Sequence, residues 1–338
     1  MSYKVNIICP TYNQENYIKY ALDGFLMQKT NFKFKVFVCD DFSTDKTREI
    51  ISEYVKSYPE IIVPVFREKN IGAMENFLQA LELPDSEYVA FCDGDDYWTD
   101  ENKLQKQVDF LDANQDYSIC FHPVRLVYEN IDKPDEIIGK PKGKNPQPYW
   151  DLLEENYIPS NSVMYRYECI KKELPNYPRN MYPGDWFNHT VAAKYGKIGH
   201  LPDMMAIYRR QVGGISYTAS KNPLDELRLR HGIKEVNFHY AVWKLVDDVF
   251  PNYYKDKFIP ILREVSFTYL KYCKLDELKQ LFETYGEHFG ELKYPNYAEE
   301  GRLRKRFKRY KRYFNIVLIL SIVLFVICVV LGIYVFKF

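Results

Sequence analysis

The residues most able to do chemistry stand at Asp93-Gly94-Asp95-Asp96, where an apolar run from Tyr88 to Cys92 stops in three acids around a glycine. Short apolar runs bounded by turn residues read as buried strands, and binding groups of open α/β sheets gather at the carboxyl ends of their strands. Three carboxylates this close repel one another unless a cation holds them together. Hard ions such as Mg²⁺ take oxygen ligands and share them with substrate phosphates. The turn therefore reads as a strand-end metal–diphosphate site. A second apolar run, Val36 to Cys39, ends in Asp40-Asp41. Asp185 follows Pro183-Gly184 at the start of a helical stretch, where an acid serves either as a helix cap or as a general base. Arg209 and Arg210 offer guanidinium forks that match phosphate oxygens, or a solvated basic loop.

The elements that must position these groups alternate. Val5 to Ile8 reads as a strand ending at Pro10-Thr11-Tyr12-Asn13, and Ile18, Leu22, Phe25 and Leu26 recur at helical spacing. Val36 to Cys39 is a second strand, followed by cap-forming residues and a helix carrying Ile50, Ile51, Tyr54 and Val55. Ile61 to Phe66 is a third strand; Asn70-Ile71-Gly72 turns into a helix; Tyr88 to Cys92 is a fourth strand, followed by a helix from about Asn102 to Ala113. This alternation implies a doubly wound, mostly parallel sheet. Neither a Gly-x-Gly-x-x-Gly turn nor a Walker loop is present, so phosphate must be met by a metal and scattered side chains. Tyr128 to Trp150 reads as an irregular loop, Asn161 to Arg166 as a strand, and Arg209 to Ser216 as a basic, flexible loop. The stretch from Pro223 to about Tyr285 has helical periodicity.

Formal net charge is zero, but eight lysines and arginines crowd between Arg302 and Arg312, leaving the remainder acidic on balance. Phe314 to Phe336 is almost unbroken in apolar residues and would span roughly 34 Å as a helix, enough for a bilayer core. The cations immediately before it place that side in the cytoplasm and favour a membrane over nucleic acid as their partner. The seven cysteines form no C-x-x-C pair, which suits a reducing compartment. The chain divides into 1–220, a sheet domain; 221–300, a helical module; 301–313, a basic juxtamembrane segment; and 314–336, a transmembrane helix. The expected location is the inner membrane, single-pass, with the catalytic domain cytoplasmic.

Several stretches, in this order, resemble the family 2 glycosyltransferases of the GT-A fold, of the bacterial surface-glycan type. They are Pro10-Thr11-Tyr12-Asn13 with Glu15 and Tyr17, Asp40-Asp41 with Ser43 and Asp45, and Asn70 with Gly72 and Asn76. Asp93-Gly94-Asp95-Asp96 with Trp98, Lys103 and Leu104, then Gly184-Asp185-Trp186, and Tyr208-Arg209 through Ser216 complete the set. The resemblance covers roughly residues 4 to 217. It implies a GT-A-like α/β fold and an inverting transferase that uses a nucleotide-sugar donor, a UDP-sugar, with Mn²⁺ or Mg²⁺. Thr11, Tyr12 and Glu15 would line the base and ribose pocket, Asp41 would bond the base, and Asn70, Gly72 and Arg209 would join the donor site. Asp93 would sit near the ribose and share the metal with Asp95, and Asp185 matches the catalytic base. The family often carries histidine where Gln211 stands here.

The expected reaction moves a sugar to a hydroxyl of a cell-surface glycan or a lipid-linked precursor. A sugar nucleotidyltransferase would also need strand-end acids and a metal, but would release pyrophosphate. An inactive glycan-binding or scaffolding membrane module is the non-enzymatic alternative. Oligomeric state has no signature in the sequence.

Overall fold

A computed structural model describes residues 3–211 and 222–291. Strands and helices alternate through the first half: β1 (Val5–Thr11), α1 (Ile18–Leu26), β2 (Phe34–Asp40), α2 (Thr47–Ser57), β3 (Ile62–Phe66), α3 (Ala73–Leu81), β4 (Tyr88–Phe91) and β5 (Tyr97–Trp98). Then follow α4 (Lys103–Ala113), β6 (Tyr117–Phe121), β7 (Val124–Glu129), β8 (Glu136–Ile138), α5 (Tyr149–Glu154), β9 (Met164–Arg166), α6 (Tyr167–Glu173) and α7 (Gly184–Tyr195). β10 (Lys197–His200), β11 (Ala206–Gln211), α8 (Pro223–Val246), α9 (Ile259–Lys271) and α10 (Leu275–Tyr285) complete the order.

The main sheet has seven strands in the order β10-β6-β9-β4-β1-β2-β3. Only β9 runs antiparallel to its neighbours β4 and β6, so the sheet is mixed but mostly parallel. Alternate residues of each strand point to opposite faces, and both faces are covered. Val5, Ile7 and Cys9 join one apolar cluster with Leu22, Phe25 and Leu104. Ile8, Phe37 and Phe91 join the other with Leu81, Phe187 and Val191. Burial on both sides explains why these strands read as continuous apolar runs. A second sheet has the order β5-β11-β7-β8 and begins with the strand that follows the turn after β4.

Parallel pairing fixes the site. β1 pairs with β2 and with β4, with Thr11 beside Asp40 and Ile8 beside Phe91. The Asp41 N–H donates to Thr11 O at 3.0 Å, and the Gly94 N–H donates to Pro10 O at 3.0 Å. The carboxyl ends of three adjacent strands thus meet at one edge.

The structure corrects the sequence reading in three places. Tyr128 to Trp150 is not all loop, since β8 and the start of α5 fall within it. Arg209 to Gln211 belong to β11 rather than to a loop, paired with Val127 to Glu129 of β7. The fold class is also corrected at its C-terminal end: no helix among the described residues is long and apolar enough to cross a membrane. The longest, α8, carries Asp225, Glu226, Arg228, Arg230, Lys234, Glu235 and Lys244. The expected transmembrane helix, and with it the single-pass inner-membrane location, is therefore not supported. The segments 301–313 and 314–336 to which those expectations were assigned lie outside the described residues, as do Val212 to Ser216.

Candidate active site

The acid turn is built by a close approach that only glycine allows. The Asp96 N–H closes the turn on Asp93 O at 3.0 Å. A Cβ at Gly94 would strike Gln14 Oε1 and sit 2.7 Å from Thr11 Oγ1. Beyond the turn, Trp98 is buried against Phe25 and donates its indole N–H to Asn161 O at 2.9 Å. β5 then pairs antiparallel with β11, which fixes the position of Arg209.

The three acids differ in surroundings. Asp96 is buried; its Oδ1 accepts from the Arg209 N–H at 2.8 Å, while its Oδ2 is buried without a partner. Burial, then the charges of Asp95 and Asp93, hold its carboxyl well above the usual carboxylate range. Burial likewise pushes Asp93 up to about 7, with the charges of Asp95 and Asp185 adding to the shift and a hydrogen bond with Ser160 opposing it. Asp95 is also raised by burial, against the stabilising influence of Arg209, Gln211 and Gln14. Carboxyl groups are crowded here with too few positive partners for all three to ionise together.

Asp185 stands apart in the first turn of α7. Its side chain is 33% exposed, and its Oδ2 accepts from Asn156 Nδ2 at 3.2 Å. One turn later on the same face, His189 Nε2 lies 4.0 Å from that oxygen. Tyr208 connects the two regions. Burial raises its hydroxyl, and the charges of Asp96, Asp93, Asp185 and Asp95 all act on it in the same direction.

The residues expected to line the donor pocket are brought to the same edge, several of them already bonded to one another. Thr11 is buried and donates its hydroxyl to Gln14 Oε1 at 2.7 Å. Tyr12 is 46% exposed, at the rim. Glu15 accepts from the Lys46 N–H at 3.0 Å and donates its own N–H to Asp45, stitching the loop after β1 to the loop after β2. Asp41 is buried, and its two oxygens accept from the Ile71 and Gly72 N–H groups at 2.8 and 2.9 Å. Asn70 donates to Asp41 O at 3.2 Å, and Gly72 adopts φ +87°, a conformation that favours glycine.

Arg209, read from the sequence as either a phosphate clamp or part of a solvated basic loop, is neither solvated nor in a loop. Its guanidinium lies 4.5 to 5.2 Å from the ring centroids of Tyr97, Tyr20 and Tyr17. It pairs with Glu129 at 2.8 Å and donates to the Asp95 carbonyl at 2.8 Å, with only 8% of its side chain exposed. It braces the acid turn from behind. Sequence reasoning also passed over Gln14 and Asn156, and found in His189 only a histidine without metal-ligand spacing. The spacing Asp185 to His189, four apart on one helix, was the signal available for the last; Asn156 carried none.

The donor set suits a hard cation. No group of three or more His, Cys, Asp or Glu side chains gathers at metal-holding distances among the described residues. One or two carboxylates completed by substrate phosphates is, however, the usual arrangement for Mg²⁺. The partnerless Asp96 Oδ2 and the raised Asp93 and Asp95 fit that arrangement.

A mixed α/β sheet with this acid turn at its carboxyl edge defines a GT-A-like protein. The chain belongs to glycosyl transferase family 2, whose model matches residues 6–212. An uncharacterized protein of Mycobacterium tuberculosis is 43% identical over 222 residues, covering 64% of this chain and 61% of that protein. The chain thus spans about three-fifths of the length of such relatives. The putative teichuronic acid biosynthesis glycosyltransferase TuaG of Bacillus subtilis is 29% identical over 72% of this chain and 93% of its own length. Among solved structures, S. aureus TarS 1-349 in complex with UDP-GlcNAc superposes with a TM-score of 0.54 over 84% of this chain and 92% of that one, at 20% identity. That likeness speaks for the fold.

Proposed function

We propose that the chain transfers a sugar, with inversion, from a nucleotide-diphosphate donor (a UDP-sugar) to a hydroxyl of a surface glycan or lipid-linked acceptor. The observation that carries this reading is the family match over residues 6–212, which includes both the acid turn after β4 and Asp185 at the start of α7; the two lie near enough that the charge of Asp185 adds to the rise of Asp93. Family membership and the teichuronic acid relative support the polymer class.

Asp95 and Asp93 would hold Mg²⁺ or Mn²⁺, which when bound neutralises charge on the departing diphosphate. Thr11, Tyr12, Glu15, Asp41, Asn70 and Gly72 frame the nucleotide. Arg209 keeps the turn in place through the Asp95 carbonyl. Asp185 takes the proton from the acceptor hydroxyl as its oxygen bonds to the anomeric carbon and the bond from that carbon to the diphosphate oxygen breaks. One displacement of this kind needs one base and no enzyme nucleophile.

The test is a panel of UDP-, GDP- and dTDP-sugars assayed with Mn²⁺ or Mg²⁺. Release of nucleoside diphosphate that stops with chelator supports the reading. Release of pyrophosphate, or no turnover of any sugar nucleotide with either ion, contradicts it.

A further inference from the structure

Asp185 is held by neighbours that no motif contains. Asn156 follows α5 and reaches across to α7, where its Nδ2 donates to Asp185 Oδ2 at 3.2 Å. That contact settles the amide's orientation, because the carboxylate can only accept. The consequence is that Asn156 Oδ1 is buried with no donor. A buried acceptor without a partner costs stability, and the contact with Asp185 is the one side-chain hydrogen bond this amide makes among the described residues. α5 itself is braced on α7: Trp186 donates its indole N–H to Leu152 O at 2.7 Å, and the Tyr149 hydroxyl donates to Thr190 O at 2.9 Å.

The second neighbour is His189. Its Nε2 faces Ile158 O at 3.1 Å and its Nδ1 faces the Tyr165 hydroxyl at 2.5 Å. A carbonyl oxygen only accepts, so the proton sits on Nε2, and Nδ1 accepts from the tyrosine. Burial holds the ring neutral, pushing it down to about 4. Its one N–H is donated to Ile158 O, and the ring thus held lies with Nε2 4.0 Å from Asp185 Oδ2, packing beside that oxygen without bonding it or adding a charge. Among the described residues no donor meets Oδ1.

We infer that Asn156 and His189 are positioning residues for Asp185: they occupy the side of Oδ2 and present Oδ1 to the acceptor hydroxyl. The inference rests on Asp185 being the base. Misplacing a reacting group by about 1 Å can cost on the order of 10²-fold in rate, so the effect should fall on kcat and spare donor binding.

The experiment uses the full chain and the sugar nucleotide turned over fastest in the panel above. Asn156→Ala should lower kcat about 10- to 100-fold with the donor KM unchanged. In an Asp185→Asn background it should cost nothing further, because it acts only through that carboxylate. His189→Gln, which keeps a donor at the end of the side chain, should lose less than His189→Phe. An Asn156→Ala enzyme within twofold of the parent, or one whose loss multiplies with that of Asp185→Asn, overturns the inference. Asp185→Asn alone retaining full turnover overturns the base assignment instead, so the two failures are distinguishable.

Discussion

The two acid regions of the site are opposites. Asp93, Asp95 and Asp96 sit on a strand-end turn, crowded by one another, with their carboxyls raised and one oxygen unpartnered. Asp185 sits in the first turn of a helix, a third exposed, with an amide bonded to one oxygen and a neutral imidazole 4.0 Å from it. The first region resists ionising all of its carboxyls together, since burial and mutual repulsion raise each of them. The second is a single carboxylate bonded at one oxygen by the Asn156 amide. In the proposed reaction the turn would handle the leaving group and Asp185 the nucleophile, the same residue type serving both.

That contrast breaks most visibly at Asp185. Asp185→Asn removes the proposed base and should lower kcat by about 10²–10⁴-fold while leaving the donor KM near the parent value. A steady-state assay of nucleoside diphosphate release checks both. A lost KM would mean that the two regions are not separate.

Gly94→Ala tests the geometry of the crowded turn. The new methyl would press on Gln14 and Thr11, and overpacking of this kind costs about 1–3 kcal/mol, measurable by urea denaturation. The equivalent change at Gly72 meets nothing within 4 Å and is penalised only by its positive φ.

The turn should also make stability depend on pH. The Asp93 carboxyl is raised from 3.8 to about 7, so the folded state binds more protons than the unfolded chain between those values. Stability in chelator should therefore fall as pH rises through that window. Mn²⁺ should raise the melting temperature more at pH 8 than at pH 5. Thermal melts across pH, with and without the ion, measure this smaller effect.

The strands that carry the site were legible because each is a short apolar run closed by turn residues: Val5 to Ile8 before Pro10, Val36 to Cys39 before Asp40, Tyr88 to Cys92 before Gly94. Both faces of the sheet are covered, so these strands need no alternating pattern. The second sheet was not legible. β5 is only Tyr97–Trp98, and its pairing with Ala206 and Ile207 is decided by residues more than a hundred positions away. For the same reason Arg209 read as a loop cation suited to phosphate, whereas three tyrosines from α1 and its entry and from β5, together with Glu129 of β7, enclose it. The acids themselves were visible as residue types. Which oxygen of Asp185 is held, and by which neighbours, depends on the packing of α5 against α7.

The most direct test of the division between the two regions is donor binding without turnover. Melting temperatures should be recorded for the parent, Asp95→Ala and Asp185→Asn with UDP, in Mn²⁺ and in chelator, since a bound ligand raises stability by mass action. The expected result is Mn²⁺-dependent stabilisation by UDP in the parent and in Asp185→Asn, and none in Asp95→Ala. Equal stabilisation of Asp95→Ala, or stabilisation of the parent that ignores the chelator, would contradict a metal–diphosphate site at the acid turn.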